Sequence, residues 1–133
     1  MIRSATKQDI SDIRHIYKKS FDASEEYVDF FLKNCNPRHT LVYEQDGKAV
    51  SVVQTMSISY ISSSRTRGHR DSHPGVYICG LATLPSYRGR GYAKSLVAYI
   101  RQNAKQQGWK FMIVHPSNAE IVSFYDKIGF NTH

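Results

Sequence analysis

Features that staple, anchor or address a chain are scarce in this sequence. It has two cysteines, Cys35 and Cys79, too few for a disulfide framework, and neither belongs to a CxxC pair. Both are expected to be reduced and buried. The longest apolar runs, such as Val76 to Ala82, fall far short of the ~20 residues that cross a bilayer, so no membrane partner is expected. Met1 to Phe21 lacks the apolar core of a signal peptide, and Asp9 and Asp12 argue against a transit peptide. The cytoplasm is the expected location. No internal repeat is present, and low complexity is confined to Ser62 to Ser64.

Acidic residues are scarce in one place. Between Gly47 and Ala119 stand ten basic residues and one acid, Asp71, a balance of +9. The remainder has eight basic and ten acidic residues, a balance of −2, which together make the formal net charge of +7. An anionic partner is therefore expected at the middle of the chain, and the motifs there decide which. At 133 residues with 41% hydrophobic content, one domain can bury about two thirds of its unfolded surface. Residues 1–133 are read as a single domain.

Hydrophobic periodicity supplies the elements. Thr6 and Asp9 form a capping-box pattern ahead of Ile10, Ile13, Ile16 and Tyr17, which predicts a helix to about Ser20. Asp22 and Glu25 repeat it before Tyr27, Phe30 and Phe31, and Pro37 stops that second helix. Asp46-Gly47 predicts a hairpin, whose second strand puts Val50, Val52, Met56, Ile58 and Tyr60 on one core face, with Gln54 the only polar interruption. Ser62 to Gly75 reads as a loop carrying Arg65, Arg67 and Arg70, and Val76 to Thr83 as a central strand covered on both faces. A helix over Gly91 to Gln107 and a buried strand over Trp109 to Val114 complete a parallel crossover. Ser117 and Glu120 then open a last helix, with Ile121, Phe124, Tyr125 and Ile128 on one face and Gly129 at its end.

Chemistry concentrates where the central strand meets its helix. At such a junction the first helical amides have no internal partners and the macrodipole is positive, while Gly89 and Gly91 remove side chains that would keep phosphate oxygens away. The junction is an anion cradle. It is not a Walker A loop, since Gly-Lys-Ser or Gly-Lys-Thr is absent, nor a Rossmann fingerprint, since Lys94 stands where a third glycine belongs.

Arg88-Gly89-Arg90-Gly91-Tyr92-Ala93, after the lead-in Leu81-Ala82-Thr83-Leu84-Pro85, resembles the pyrophosphate loop of the GNAT family, the Gcn5-related N-acetyltransferases. Asn118 to Phe130 is similar to that family's late helix, which ends in a Tyr, two or three residues and Gly-Phe. The resemblance covers most of the chain. It implies an α/β fold with a mixed sheet, antiparallel N-terminal strands leading to a splayed parallel pair, flanked by about four helices. It further implies N-acetyl transfer from acetyl-CoA to a primary amine on a small molecule or peptide, with no metal. By the same resemblance the amides of Gly89, Arg90, Gly91, Tyr92 and Ala93 hold the CoA pyrophosphate, and Arg88 and Arg90 add charge. The backbone of Leu81 and Thr83 pairs with pantetheine, the Leu81 amide faces the thioester oxygen, Asn118 contacts the pantetheine arm, and Tyr125 is the general acid.

The chain also departs from the pattern. Tyr77 stands where family members often carry a Glu that deprotonates the amine, which leaves His73, Glu44 or a water chain as candidate bases. It ends at His133, where the family continues into further strands; those strands are expected to be absent, supplied by a partner, or part of a longer protein. A homodimer is left open. His69, Asp71 and His73 lack a second ligand pair, so no metal is expected, and Cys79 has no evident base and is assigned to packing. The cluster Arg65 to Arg70 is a solvated loop or a recruiter of an anionic acceptor or of the adenosine 3′-phosphate. Two alternatives remain: a non-catalytic CoA-binding domain, and a nucleic-acid-binding module, which the aromatics on predicted buried faces disfavour.

Overall fold

The protein is described here by a computed structural model covering residues 1–21, 24–33, 37–63, 70–114, 124–125 and 127–130. In chain order the elements are β1 (Ile2–Ser4), α1 (Ile10–Phe21), α2 (Glu25–Lys33), β2 (Thr40–Gln45), β3 (Lys48–Ser63), β4 (Arg70–Thr83), α3 (Tyr92–Gln107) and β5 (Phe111–Val114), with 3-10 turns at Lys7–Asp9, Pro37–His39 and Pro85–Tyr87. One sheet takes the strands in sequence order. β1 to β4 pair antiparallel and β5 joins β4 in parallel, as the mixed sheet requires. Among the described residues there are three α-helices, and residues 124, 125 and 127 are helical as well; the resemblance implies about four helices. Ser117, Glu120 and Ile121 of the last predicted helix, Asp22 and Cys35 lie outside the described residues.

Local signals act as their chemistry dictates. Asp46 and Gly47 both take positive φ, 55° and 78°, which closes β2 onto β3 in a two-residue turn. At the start of α1 the Asp9 carboxylate accepts hydrogen bonds from the Thr6 amide at 2.7 Å and the Thr6 hydroxyl at 3.2 Å. The same carboxylate takes a two-pronged bond from Arg3 at 2.7 and 2.8 Å, and Arg3 also reaches Glu44 at 3.1 Å. Those bonds hold the Asp9 carboxyl below its usual value against the opposing effect of burial.

The sheet has a core on each face. On one, Ile13, Ile16 and Tyr17 of α1 and Val28 of α2 pack on Val42, Val50, Val52, Ala82 and Leu84. On the other, Leu96, Val97 and Ile100 of α3 pack on Val53, Val76, Ile78 and Leu81, joined by Tyr125. Each fully buried Ile or Leu contributes about 1.5–3 kcal/mol relative to exposure, so these two layers carry the fold.

Three expectations need correction. Met56 and Tyr60 are exposed, because α1 and α2 cover the sheet only as far as Val52 and Gln54. The loop read from Ser62 to Gly75 is shorter: β4 begins at Arg70, and Ser59 to Ser63 pair with Pro74 to Arg70. A two-stranded ribbon away from the core needs no apolar periodicity, so pattern alone cannot reveal it. Trp109 is not a strand residue; its amide bonds to the Ala104 carbonyl at 3.0 Å and closes the end of α3, and β5 begins at Phe111.

Candidate active site

The decisive irregularity is in β4. Val52 pairs with Ala82 and Gln54 with Cys79, so one residue of β3, Val53, opposes two of β4, Gly80 and Leu81. Gly80 sits at φ 63°, a left-handed conformation that favours glycine, and makes this a β-bulge. The bulge reverses the alternation of β4. Leu81 turns into the α3-side core, where it is buried, and Ala82 into the α1-side core.

A relay of hydrogen bonds pins it. The hydroxyl of Tyr17, fully buried on α1, donates to the Gly80 carbonyl at 2.9 Å, and the Gln54 amide donates to that hydroxyl at 3.1 Å. Sequence reasoning missed Tyr17 as a site-shaping residue. The available signal was Gln54, a lone polar residue on an apolar strand face, which predicts a buried polar partner.

Beyond the bulge, β4 ends in a clamp. The Thr83 hydroxyl meets Ser51 Oγ at 2.8 Å, and the Thr83 carbonyl accepts from Arg88 Nε at 3.1 Å and from Ser20 Oγ at 3.4 Å. Arg88 also reaches Ser20 Oγ at 3.4 Å, so this guanidinium braces the strand end. Among the described residues the ladder between β4 and β5 runs from Gly75–Phe111 to Ile78–Val114, and β4 itself runs on to Thr83.

The loop from Arg88 to Ala93 has the form its sequence predicts. Gly89 and Gly91 sit at φ 80° and 82°, where a side chain is disfavoured, and a Cβ at either would meet nothing within 4 Å. Gly91 caps α3 without a side-chain cap, and the first turn holds no acidic residue, so the leading amides of Tyr92, Ala93 and Lys94 are available to an anion. Around them stand cations and rings. Arg90 and Lys48 lie over the Tyr87 ring at 5.0 and 5.3 Å, and Tyr92 stacks on Tyr43 at 4.2 Å.

Tyr125 is buried in the cluster that holds Leu81. Its place follows from how its helix ends. The Phe130 amide bonds back to the Tyr125 carbonyl at 3.0 Å across Gly129 at φ 101°, and the Tyr125 and Phe130 rings meet edge-on at 5.4 Å. This is a Schellman end with its hydrophobic contact, so the Tyr, Gly and Phe of the motif act as one unit. The Tyr125 hydroxyl is buried with no hydrogen-bond partner among the described residues. Burial, with a smaller push from the Cys79 thiol, raises the phenol well above its ordinary value.

The structure thus brings Leu81 and Tyr125 into one cluster and sets the Gly89 to Ala93 cradle at the end of the same strand. Asn118, Arg65, Arg67 and His69 lie outside the described residues. The two candidate bases lie elsewhere: Glu44 is engaged by Arg3 near β1, and His73 pairs with Tyr60 in the ribbon, eight residues before Leu81. Cys79 is half-buried, more accessible than expected.

Residues 9–130 match the Acetyltransferase (GNAT) family. The chain belongs to that family. It is 26% identical over 141 residues to an uncharacterised N-acetyltransferase of Methanocaldococcus jannaschii, covering 97% of this chain and 59% of the relative, so it spans just under three fifths of that protein's length. Among solved structures it shares its fold with a transcriptional regulator from Bacillus halodurans, at 20% identity and a TM-score of 0.75 over 99% of this chain and 93% of that one. It likewise matches the aminoglycoside N-acetyltransferase AAC(6′)-Iy, solved with CoA, at 23% identity and a TM-score of 0.69 over 99% and 88%. This GNAT chain has no helix among its described residues long and apolar enough to cross a membrane.

Proposed function

We propose that this chain transfers an acetyl group from acetyl-CoA to a primary amine, by direct attack of the amine on the thioester. The observation that carries the reading is the buried Tyr125 hydroxyl, unpartnered among the described residues, in one cluster with Leu81 of the bulge. Leaving such a group unpaired costs about 1–3 kcal/mol, so its retention favours a donor kept for a ligand over one more core aromatic. It also favours an enzyme over a passive CoA-binding domain.

The residues present fit acetyl-CoA. The leading amides of Tyr92, Ala93 and Lys94, next to Gly89, Arg90 and Gly91, suit a pyrophosphate. The backbone of Leu81 and Thr83, with the Thr83 carbonyl already taken by Arg88 and Ser20, and Asn118 are assigned to the extended amide arm by the motifs they belong to. Bound acetyl-CoA supplies an activated acyl thioester. The chain's own part is then electrostatic and positional. The Leu81 amide, set by the bulge, aims at the carbonyl oxygen where negative charge grows as the nitrogen–carbon bond forms. Tyr125 aims its O–H at the sulfur as general acid. Burial keeps the phenol protonated, it gives its proton to the sulfur as the carbon–sulfur bond breaks, and the proton released by the amine returns to the phenolate through solvent. Arg88, which braces Thr83 in this structure, is assigned to the strand end as well as to charge at the loop.

Calorimetry with acetyl-CoA and thiol-release assays across amines test this. The expected result is acetyl-CoA binding, turnover, and a fall in kcat of about 100-fold in Tyr125→Phe with acetyl-CoA binding retained. Absence of acetyl-CoA binding would overturn the proposal, and unchanged turnover in Tyr125→Phe would remove that residue's role.

A further inference from the structure

Among the described residues, no helix covers the face of the sheet beyond α1 and α2 where it adjoins the site. Met56 pairs with Tyr77, and Tyr77 with Ile113, so these three side chains stand side by side on one face across β3, β4 and β5. Met56 is 58% exposed and Ile113 46%. The next row is Ile58, Gly75 and Phe111, with the Phe111 ring over Gly75 so closely that a Cβ there would lie 2.5 Å from it. The row on the other side is Gln54 and Cys79, which leads to the bulge.

This face is continuous with the site and apolar. Tyr77 lies four residues up β4 from Leu81, about 13 Å along the strand. On the opposite face, Val76 and Ile78 are closed off by α3 and Tyr125, and at Gly80 to Thr83 the near face is covered by α1. Among the described residues, the row of Met56, Tyr77 and Ile113 is the exposed apolar surface that follows Cys79 along this face of β4. No carboxylate occurs in 54–60, 73–79 or 111–114. A polycationic acceptor would lose hydration there without gaining a counter-charge, whereas an apolar group would cover exposed Met56 and Ile113.

We infer that the acceptor is a primary amine followed, within about 13 Å, by an uncharged apolar group that rests on Met56, Tyr77 and Ile113, and that Met56 and Ile113 set this preference. The inference rests on the acetyl-transfer reading of the site. Two sources share this chemistry: a free arylalkylamine, and the N-terminus of an apolar peptide.

The test compares 4-phenylbutylamine, a leucine-rich uncharged tetrapeptide amide, spermine and kanamycin as acceptors, with acetyl-CoA binding measured separately by calorimetry. The parent should favour one of the two apolar amines over spermine and kanamycin by at least about tenfold in kcat/KM, and the preferred one identifies the source. Met56→Glu and Ile113→Glu, both on exposed positions, should each cut that preference by about tenfold and weaken binding of the apolar amine in calorimetry, with acetyl-CoA affinity unchanged. An unaltered ranking in both variants would overturn the inference and leave the acetyl-transfer reading standing. So would sedimentation showing a dimer that Ile113→Glu dissociates, because the face would then be an interface between copies. Failure of the parent to bind acetyl-CoA would overturn both.

Discussion

The two ends of the sheet share β3 and β4 and differ in what lies on them. At the end holding β1, β2, the start of β3 and the end of β4, both faces are covered and the strands are cross-tied by Arg3 to Asp9, Ser51 to Thr83 and Tyr17 to Gly80. At the other end, α3 still covers Val76 and Ile78, but Met56 and Ile113 on the reverse face meet no helix among the described residues. β4 alternates at both ends, its phase shifted by one residue at the Gly80 bulge. What differs is the reach of α1 and α2, so an apolar strand residue is core at one end and an available surface at the other.

Paired truncations separate the two faces. Ile78→Ala should cost about 3 kcal/mol in urea unfolding, because Ile78 is fully buried against α3, whereas Ile113→Ala should stay within about 0.5 kcal/mol. Equal costs would show that the open face is covered in solution.

Asp9→Asn probes the covered end. It removes the charge that pairs with Arg3, and with Arg3 still partly solvated the loss should be about 1–2 kcal/mol at neutral pH. Because the folded Asp9 carboxyl is held low, its stabilisation is complete above the unfolded value of about 3.9 and is lost as pH falls through the folded value. The difference between parent and variant in unfolding free energy should therefore shrink in acid, and a difference constant with pH would refute the pairing.

Tyr17→Phe gives the smallest of the expected losses at the covered end, about 1 kcal/mol, since one buried hydroxyl and its bonds to Gly80 and Gln54 disappear. Its sharper readout is acetyl-CoA affinity. If Tyr17 holds the bulge, affinity should fall while the packing of α1 is kept, and unchanged affinity would detach the relay from the site.

Much of the fold and site was legible because it depends on local backbone chemistry. Asp46-Gly47, Gly108 and Gly129 mark turns and helix ends wherever they occur, and Gly89 with Gly91 before a helical pattern marks an anion cradle. The family resemblance then assigned the cradle its ligand. Features that depend on which element lies over which strand were not legible: the exposure of Met56, the strand over Arg70 to Gly75, and the displacement of Glu44 and His73 from the site.

By itself, then, the sequence determined the order of the elements, the turn and helix-end positions, the loop chemistry and the surplus of positive charge in the middle of the chain. Only the tertiary structure decided that β4 carries a bulge at Gly80 held by Tyr17 and that, among the described residues, Tyr125 is buried with its hydroxyl unpaired and no helix covers Met56 and Ile113. The physical reason is range. A turn is settled by the φ of one or two residues, whereas a bulge, a buried hydroxyl or an uncovered face is settled by contacts between segments tens of residues apart.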